Sequence, residues 1–204
     1  MIKIKNIIFD LGGVILFQPK ELMHTVLNEV FPEKIDQAYG LWNQNKDKVL
    51  LGEMSSEELI KIFKEMLRDE TPLKLMEQKI KLAYKKHVAK VNYDLLSCIK
   101  DLRKRYKIYL LTDTIDQHDE YNKTRNIYTR FDRVFKSFEE HFLKTDINAF
   151  KNVLKKIHAK PEEILFIDDL EENVLNAKQL GINSIIYKNL KQLKDKLKNY
   201  EITI

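Results

Sequence analysis

The sequence predicts an α/β protein, a Rossmann-like doubly wound parallel sheet with a helical segment inserted after its first strand. Three observations carry this expectation. Short apolar runs of strand type recur at Ile7-Ile8-Phe9, Ile108-Tyr109-Leu110-Leu111 and Ile164-Leu165-Phe166-Ile167, as expected of strands buried on both faces. Helical patterns separate the later runs, and strand alternating with helix argues for parallel pairing. The stretch from about Phe17 to Val91 breaks this rhythm, with helical patterns and no convincing strand.

Each element has its own signal. Leu22, Val26, Leu27 and Val30 mark a helix with Pro19 near its start. Ser55-Ser56-Glu57-Glu58 resembles a capping box ahead of Leu59, Ile62, Phe63 and Met66. Leu75, Ile80, Leu82 and Tyr84 mark a third helix. Further helices are expected over Tyr93 to Tyr106, Asp146 to His158, Glu171 to Leu180 and Leu190 to Tyr200. Weaker strands are expected at Arg133 to Phe138 and Ser184 to Tyr187. Gly181 follows Leu180, where a helix end favours a residue free to turn left-handed. The expected division is a core of residues 1–16 and 92–204 and a helical cap of residues 17–91. Ligands of such sheets bind at the carboxyl ends of the strands, which a cap inserted there would cover.

Composition narrows the function classes. With 204 residues, 44% of them hydrophobic, the chain can bury a sizeable core. The formal charge of +5 comes largely from scattered lysines such as Lys191, Lys194, Lys196 and Lys198. That spacing fits a solvated face and, without a nucleic-acid motif, points to no nucleic-acid partner. The single cysteine, Cys98, allows no internal disulfide or cysteine zinc site. Its neighbours Leu95, Leu96, Ile99 and Leu102 suggest a buried, inert thiol. The apolar run at Ile7 to Phe9 is too short for a signal sequence, and no stretch approaches the ~20 residues of a membrane span. A cytoplasmic protein with no membrane partner is expected.

The three strongest strands end in polar residues: Asp10, then Thr112-Asp113-Thr114, then Asp168-Asp169. Lys144 precedes the helix leading into the last of these strands. Together they offer carboxylates for a hard divalent cation, a hydroxyl and an ammonium for phosphate oxygens, and a carboxylate free to attack. A carboxylate approaching a phosphate monoester meets repulsion of about 4 kcal/mol at ~4 Å and an effective dielectric of ~20. A magnesium ion and a lysine on the phosphate convert that repulsion into attraction. Glycines at 12 and 13 let backbone amides come close to phosphoryl oxygens.

These motifs, in this order from Ile4 to Leu190, resemble the haloacid dehalogenase superfamily of hydrolases, and the insert falls where that family carries its type I cap. Phe9-Asp10-Leu11-Gly12-Gly13-Val14, and Phe166-Ile167-Asp168-Asp169 followed by Asn173, Ala177, Leu180 and Gly181, resemble the subgroup of sugar-phosphate phosphatases and the amino-terminal phosphatase domain of soluble epoxide hydrolase. The resemblance implies a phosphatase for a small phosphorylated metabolite, with a sugar phosphate the natural guess. It implies that Asp10 is the nucleophile forming an aspartyl-phosphate, with Thr112 and Lys144 as the other catalytic residues. It implies phosphate binding by Gly13, Thr112, Asp113 and Lys144. It implies magnesium held by Asp10, the Gly12 carbonyl and Asp169, with Asp168 acting through water or a hydrogen bond.

The sequence departs from that pattern at three positions. Gly12 stands where the family's phosphatases carry a general acid–base aspartate, a loss of help typically worth about 10²–10⁴-fold. Asp113 replaces the usual Asn and Thr145 the usual Pro. These departures motivate an alternative, a catalytically impaired ligand- or partner-binding protein. A 2-haloacid dehalogenase is the further alternative, but it would not need Asp168 and Asp169. His118 and His141 lack metal-ligand spacing and are expected on loops or helix surfaces. Phe31, Tyr39 and Trp42 are expected in the core of the insert.

Overall fold

A computed structural model describes residues 3–203. The sheet has five strands, β1 (Asn6–Phe9), β2 (Lys107–Thr112), β3 (Arg133–Lys136), β4 (Ile164–Asp168) and β5 (Asn183–Ile186), in the order β3-β2-β1-β4-β5. All four pairings are parallel, and Phe9 of the central strand pairs with Leu110 on one side and Ile167 on the other.

The apolar runs are continuous because successive side chains point to opposite faces, and both faces are covered. Ile7, Phe9, Ile108, Leu110, Leu165 and Ile167 face one core. There they meet α5 (Tyr93–Leu102) and α10 (Leu190–Leu197) through Leu95, Ile99, Leu193 and Leu197. Ile8, Tyr109, Leu111, Ile164 and Phe166 face the other core. That side is closed by α8 (Ile147–Ile157) and α9 (Glu171–Gln179) through Phe150, Val153 and Ala177.

Four helices lie between β1 and α5: α1 (Leu22–Val30), α2 (Ile35–Leu50), α3 (Ser56–Met66) and α4 (Leu73–His87). They enclose their own cluster, which includes Val26, Leu27, Phe31, Trp42, Phe63 and Ile80, with Tyr39 packed against it. The capping box at Ser55 and Glu58 starts α3. The chain leaves the sheet at Leu16 and returns at Val91, and the two are bridged to each other. Across from this cluster, α6 (Asp116–Thr124) follows β2, and Ile115 at its start joins the same apolar cluster. The Ser56 hydroxyl donates to the Asp116 carboxylate, and Arg125 donates to the carbonyls of Val88 and Ala89 at 2.8 and 2.9 Å.

Several sequence expectations change. Neither α2 nor α6 announces itself. Polar Asn43 to Lys48 interrupts the apolar face of α2, and the buried residues of α6 are the polar Gln117, His118, Asp119 and Asn122. His118 is therefore a buried helical residue and not a surface one, whereas His141 is exposed just after the short helix α7 (Ser137–Glu140). That helix also ends the expected fourth strand early, at Lys136. In α4 the inward residues are Met76, Ile80, Ala83 and Tyr84, while Leu75 and Leu82 face solvent. Cys98 is only partly buried. Gly181 adopts φ +82°, as expected of a helix terminator. Among the described residues, no helix is long and apolar enough to cross a membrane.

The register of α4 gives a direct test. Ile80→Ala should cost roughly 2–5 kcal/mol in chemical denaturation, and Leu82→Ala less than about 0.5 kcal/mol. Equal losses would mean that the helix is rotated from the orientation described.

Candidate active site

Because β1 is central, the residue after it is flanked by the ends of β2 and β4. The Asp10 amide donates to the Ile167 carbonyl at 2.9 Å, which fixes the turn at the sheet's carboxyl edge. The chain then tightens: Ile15 and Leu16 both donate to the Leu11 carbonyl, and Gly13 donates to Leu16. Gly13 adopts φ +71°, and a Cβ there would overlap the Asp169 carboxylate, so only glycine lets this loop lie against Asp169. Gly12 has no such constraint. The atoms nearest to a Cβ there are those of the Gln18 side-chain amide, at 2.5–3.0 Å.

Lys144 links the strands. Its buried ammonium donates to Asp10 Oδ1 at 2.5 Å and to Asp168 Oδ2 at 2.8 Å. Asp168 is fully buried and also accepts from the Leu170 amide at 2.8 Å and from Asn173 Nδ2 at 3.1 Å. The lysine's own backbone is held from two sides. Asp113 accepts from the Lys144 amide, 3.3 Å from each carboxylate oxygen. Asn176 Nδ2 donates to the carbonyls of Lys144 and Thr145 at 3.2 and 2.9 Å. Thr112 is buried at the end of β2, and the Thr114 amide is anchored on the Ser137 hydroxyl at 3.0 Å.

The geometry thus brings together Asp10, Gly12, Gly13, Thr112, Asp113, Lys144 and Asp169 on one cavity, with Asp168 directly beneath. Asp113, expected to bind phosphate, lies on this cavity with its carboxylate accepting from the Lys144 amide. Sequence reading named neither Asn173 nor Asn176 as a site residue. Their signal is their spacing, three apart and one helical turn into α9 after the acidic pair.

Carboxylates outnumber the cation. Oxygens of Asp10, Asp168 and Asp169 lie within 4.8 Å of one another. The Asp10 carboxyl is pushed up to about 8, chiefly by burial, with Lys144 lowering it and Asp168 and Asp169 raising it. Asp169 is raised by burial and by Asp168, and Asp113 chiefly by burial. Burial opposes the charge on Lys144, but Asp10, Asp168 and Asp113 outweigh it and hold its ammonium above the usual lysine range. An oxygen-only set short of positive charge is chemically matched to a hard divalent cation.

The cavity has a volume of about 550 Å³, within the range of small-molecule sites. Its floor is the charged group just described. Its walls carry Met23, Trp42 and Leu50 from the inserted helices, and Tyr84, His118 and Asn122 where α4 meets α6.

A family model for haloacid dehalogenase-like hydrolases matches residues 4–181. The chain is similar to a D-ribitol-5-phosphate phosphatase of Bacteroides thetaiotaomicron, at 27% identity over 192 residues that cover 89% of this chain and 90% of that one. Its fold is similar to a HAD family enzyme of the same organism, crystallised with magnesium and inorganic phosphate, with a TM-score of 0.78, 24% identity and 93% and 98% of the two chains covered. It is also similar to a "predicted HAD-like family hydrolase" of Porphyromonas gingivalis, with a TM-score of 0.81, 23% identity and 98% and 99% coverage.

The raised carboxyls have a consequence for stability. Folding pushes the Asp10 carboxyl from its ordinary 3.8 up to about 8, chiefly through burial. Between those values the native state holds the extra proton, so stability falls as pH rises through the window. Metal-free protein should therefore lose more melting temperature between about pH 5 and 8.5 than its Asp10→Asn variant. Parallel melting profiles for the two would contradict the assigned burial of charge.

Proposed function

We propose, from the premise that this chain belongs to the haloacid dehalogenase-like hydrolases, that it is a magnesium-assisted phosphatase for a small phosphorylated metabolite. The observation that supports this best is the Lys144 ammonium lying between Asp10 and Asp168, beneath a cavity of small-molecule size. The similarity to a phosphatase of a pentitol phosphate adds to it.

In this reading, Asp10 attacks phosphorus through one carboxylate oxygen. The bond to the ester oxygen breaks, and the leaving alcohol takes up a proton. Water then cleaves the aspartyl-phosphate, releasing inorganic phosphate and restoring the carboxylate. Lys144 and the Thr112 hydroxyl hold the phosphoryl oxygens, and Asp113 and Asn176 keep the lysine in place. Asp10, Asp169 and the Gly12 carbonyl would hold magnesium, with Asp168 supporting through its hydrogen bonds. When bound, the ion offsets the negative charge of the carboxylates and the phosphate. Residues 17–91 act as the cap that covers the site and supplies its apolar wall.

Gly12 leaves the reaction without a side chain to protonate the leaving oxygen. Good leaving groups need little protonation, so aryl phosphates should be cleaved faster than alkyl phosphates. The backbone at Gly12 lies outside the left-handed region, and the atoms nearest to an added Cβ belong to the flexible end of Gln18. Aspartate should therefore be accepted there.

Two measurements test the reading. Hydrolysis of an aryl phosphate should disappear in EDTA, return with magnesium, and be absent in Asp10→Asn. Full activity in chelator would remove the metal from the mechanism. Gly12→Asp should raise turnover of alkyl phosphates by up to about 10²–10⁴-fold. A folded variant with no gain on any phosphate would show that proton transfer to the leaving group is not what limits the enzyme.

A further inference from the structure

Gln18 has no part in the reaction above, yet it lines the same cavity as Asp10, Thr112 and Lys144. It belongs to the segment that leads from the sheet to α1. A tight loop brings it back to the nucleophile. Gly12 and Leu16 are bridged, Gly13 donates to the Leu16 carbonyl at 2.8 Å, and Phe17 donates to the Lys90 carbonyl at 3.1 Å. The Gln18 side chain is thereby laid against Gly12. Its Nε2, Cδ and Oε1 lie 2.5, 2.9 and 3.0 Å from where a Cβ at position 12 would stand. The amide thus stands where a side chain of residue 12 would begin, two residues from Asp10.

That place matters because displacement at phosphorus runs in line, with the attacking and leaving oxygens on opposite sides of the phosphoryl group. Asp10, Thr112 and Lys144 are buried, whereas Gln18 is exposed, so the amide stands toward the mouth of the cavity. An ester attacked by Asp10 from the floor has its leaving oxygen on the mouth side. The water that later cleaves the aspartyl-phosphate enters at the same place.

We propose that the Gln18 carboxamide is a further catalytic residue that binds this shared position, holding first the leaving oxygen and then the attacking water. This rests on the phosphatase reading of the same cavity. The amide suits both partners, because Nε2 donates to the leaving oxygen and Oε1 accepts from the water. Being neutral, it adds no repulsion beside the three carboxylates of the floor. It transfers no proton. As the bond from phosphorus to the ester oxygen breaks, that oxygen takes a proton from solvent water. As the attacking water bonds to phosphorus and the Asp10 oxygen leaves, the water gives a proton to solvent.

The test uses the full chain with magnesium, and it compares nitrophenyl phosphate with propyl phosphate. Gln18→Ala should lower kcat/KM for propyl phosphate about tenfold more than for nitrophenyl phosphate, as expected for one lost hydrogen bond to the poorer leaving group. The melting temperature should hardly change, because the side chain is exposed. Vanadate adopts the five-coordinate, in-line geometry, and its binding, followed by melting temperature, should weaken about tenfold in the variant. Beryllium fluoride mimics the aspartyl-phosphate without a leaving oxygen and should bind both proteins equally. In a Gly12→Asp background the new side chain displaces the amide, so Gln18→Ala should cost nothing further. Equal losses on both esters with unchanged vanadate binding would show that Gln18 only braces the loop, and would overturn the proposal. A variant that matches an active wild type on both esters would overturn it too, leaving the phosphatase reading intact. A wild type that cleaves neither ester would remove that reading, and the proposal with it.

Discussion

One buried ammonium holds the catalytic edge of this protein together. Lys144 sits between Asp10 and Asp168, which leave adjacent strands at the same edge of the sheet. Taking these carboxylates out of water is costly, and leaving a buried charge unpaired by removing its partner typically costs about 3–5 kcal/mol. The lysine can meet both only if β1 and β4 are neighbours in parallel register, with Phe9 opposite Ile167. The strand order, the tight loop after Asp10 and the bracing of the Lys144 backbone all serve that one contact. The contact still leaves the site short of positive charge, which is why the same geometry suits a divalent cation and an anionic substrate.

The inserted helices complete the site from the other side. They have an apolar cluster of their own, but it is closed partly by Ile115, with Tyr121 packed against it, from the segment after β2. The cavity therefore has two chemical halves. The floor is charged and belongs to the strand ends, while the walls are neutral and shared by the insert and α6. In the proposed reaction, attack on phosphorus depends on the floor, while burial keeps the His118 imidazole in the wall uncharged.

Much of this was legible in the sequence, for physical reasons that can be traced. Strands covered on both faces write themselves as continuous apolar runs, so β1, β2 and β4 were readable to within a residue or two. Their polar end residues stand at the sheet's carboxyl edge, which is why Asp10, Thr112, Asp168 and Asp169 could be named together. The illegible parts obey a different logic. Helix α6 buries Gln117, His118, Asp119 and Asn122, so hydrophobic periodicity could not reveal it. Burial of polar side chains is a tertiary fact, created by α4 and by Lys136 beneath Asp119. Asn176 escaped notice because its role is to hold carbonyls of a loop far away in sequence.

The departures from the family pattern can now be weighed separately. Thr145 lacks the rigidity of proline, but Asn176 grips the carbonyls on both sides of the Lys144–Thr145 peptide and Asp113 holds the amide before it. A loop fastened at three backbone atoms does not need a ring to restrict it, so Thr145 and Asp113 leave the lysine's position intact. Asp113 also spends its carboxylate on that amide. Gly12 is different, because no titratable side chain takes the vacated position. The group against it is the amide of Gln18, which can hydrogen-bond an oxygen or a water but has no proton acidic enough to transfer at neutral pH. In the proposed reaction, Thr145 and Asp113 therefore leave the lysine where it is needed, and Gly12 is the departure that bears on proton transfer.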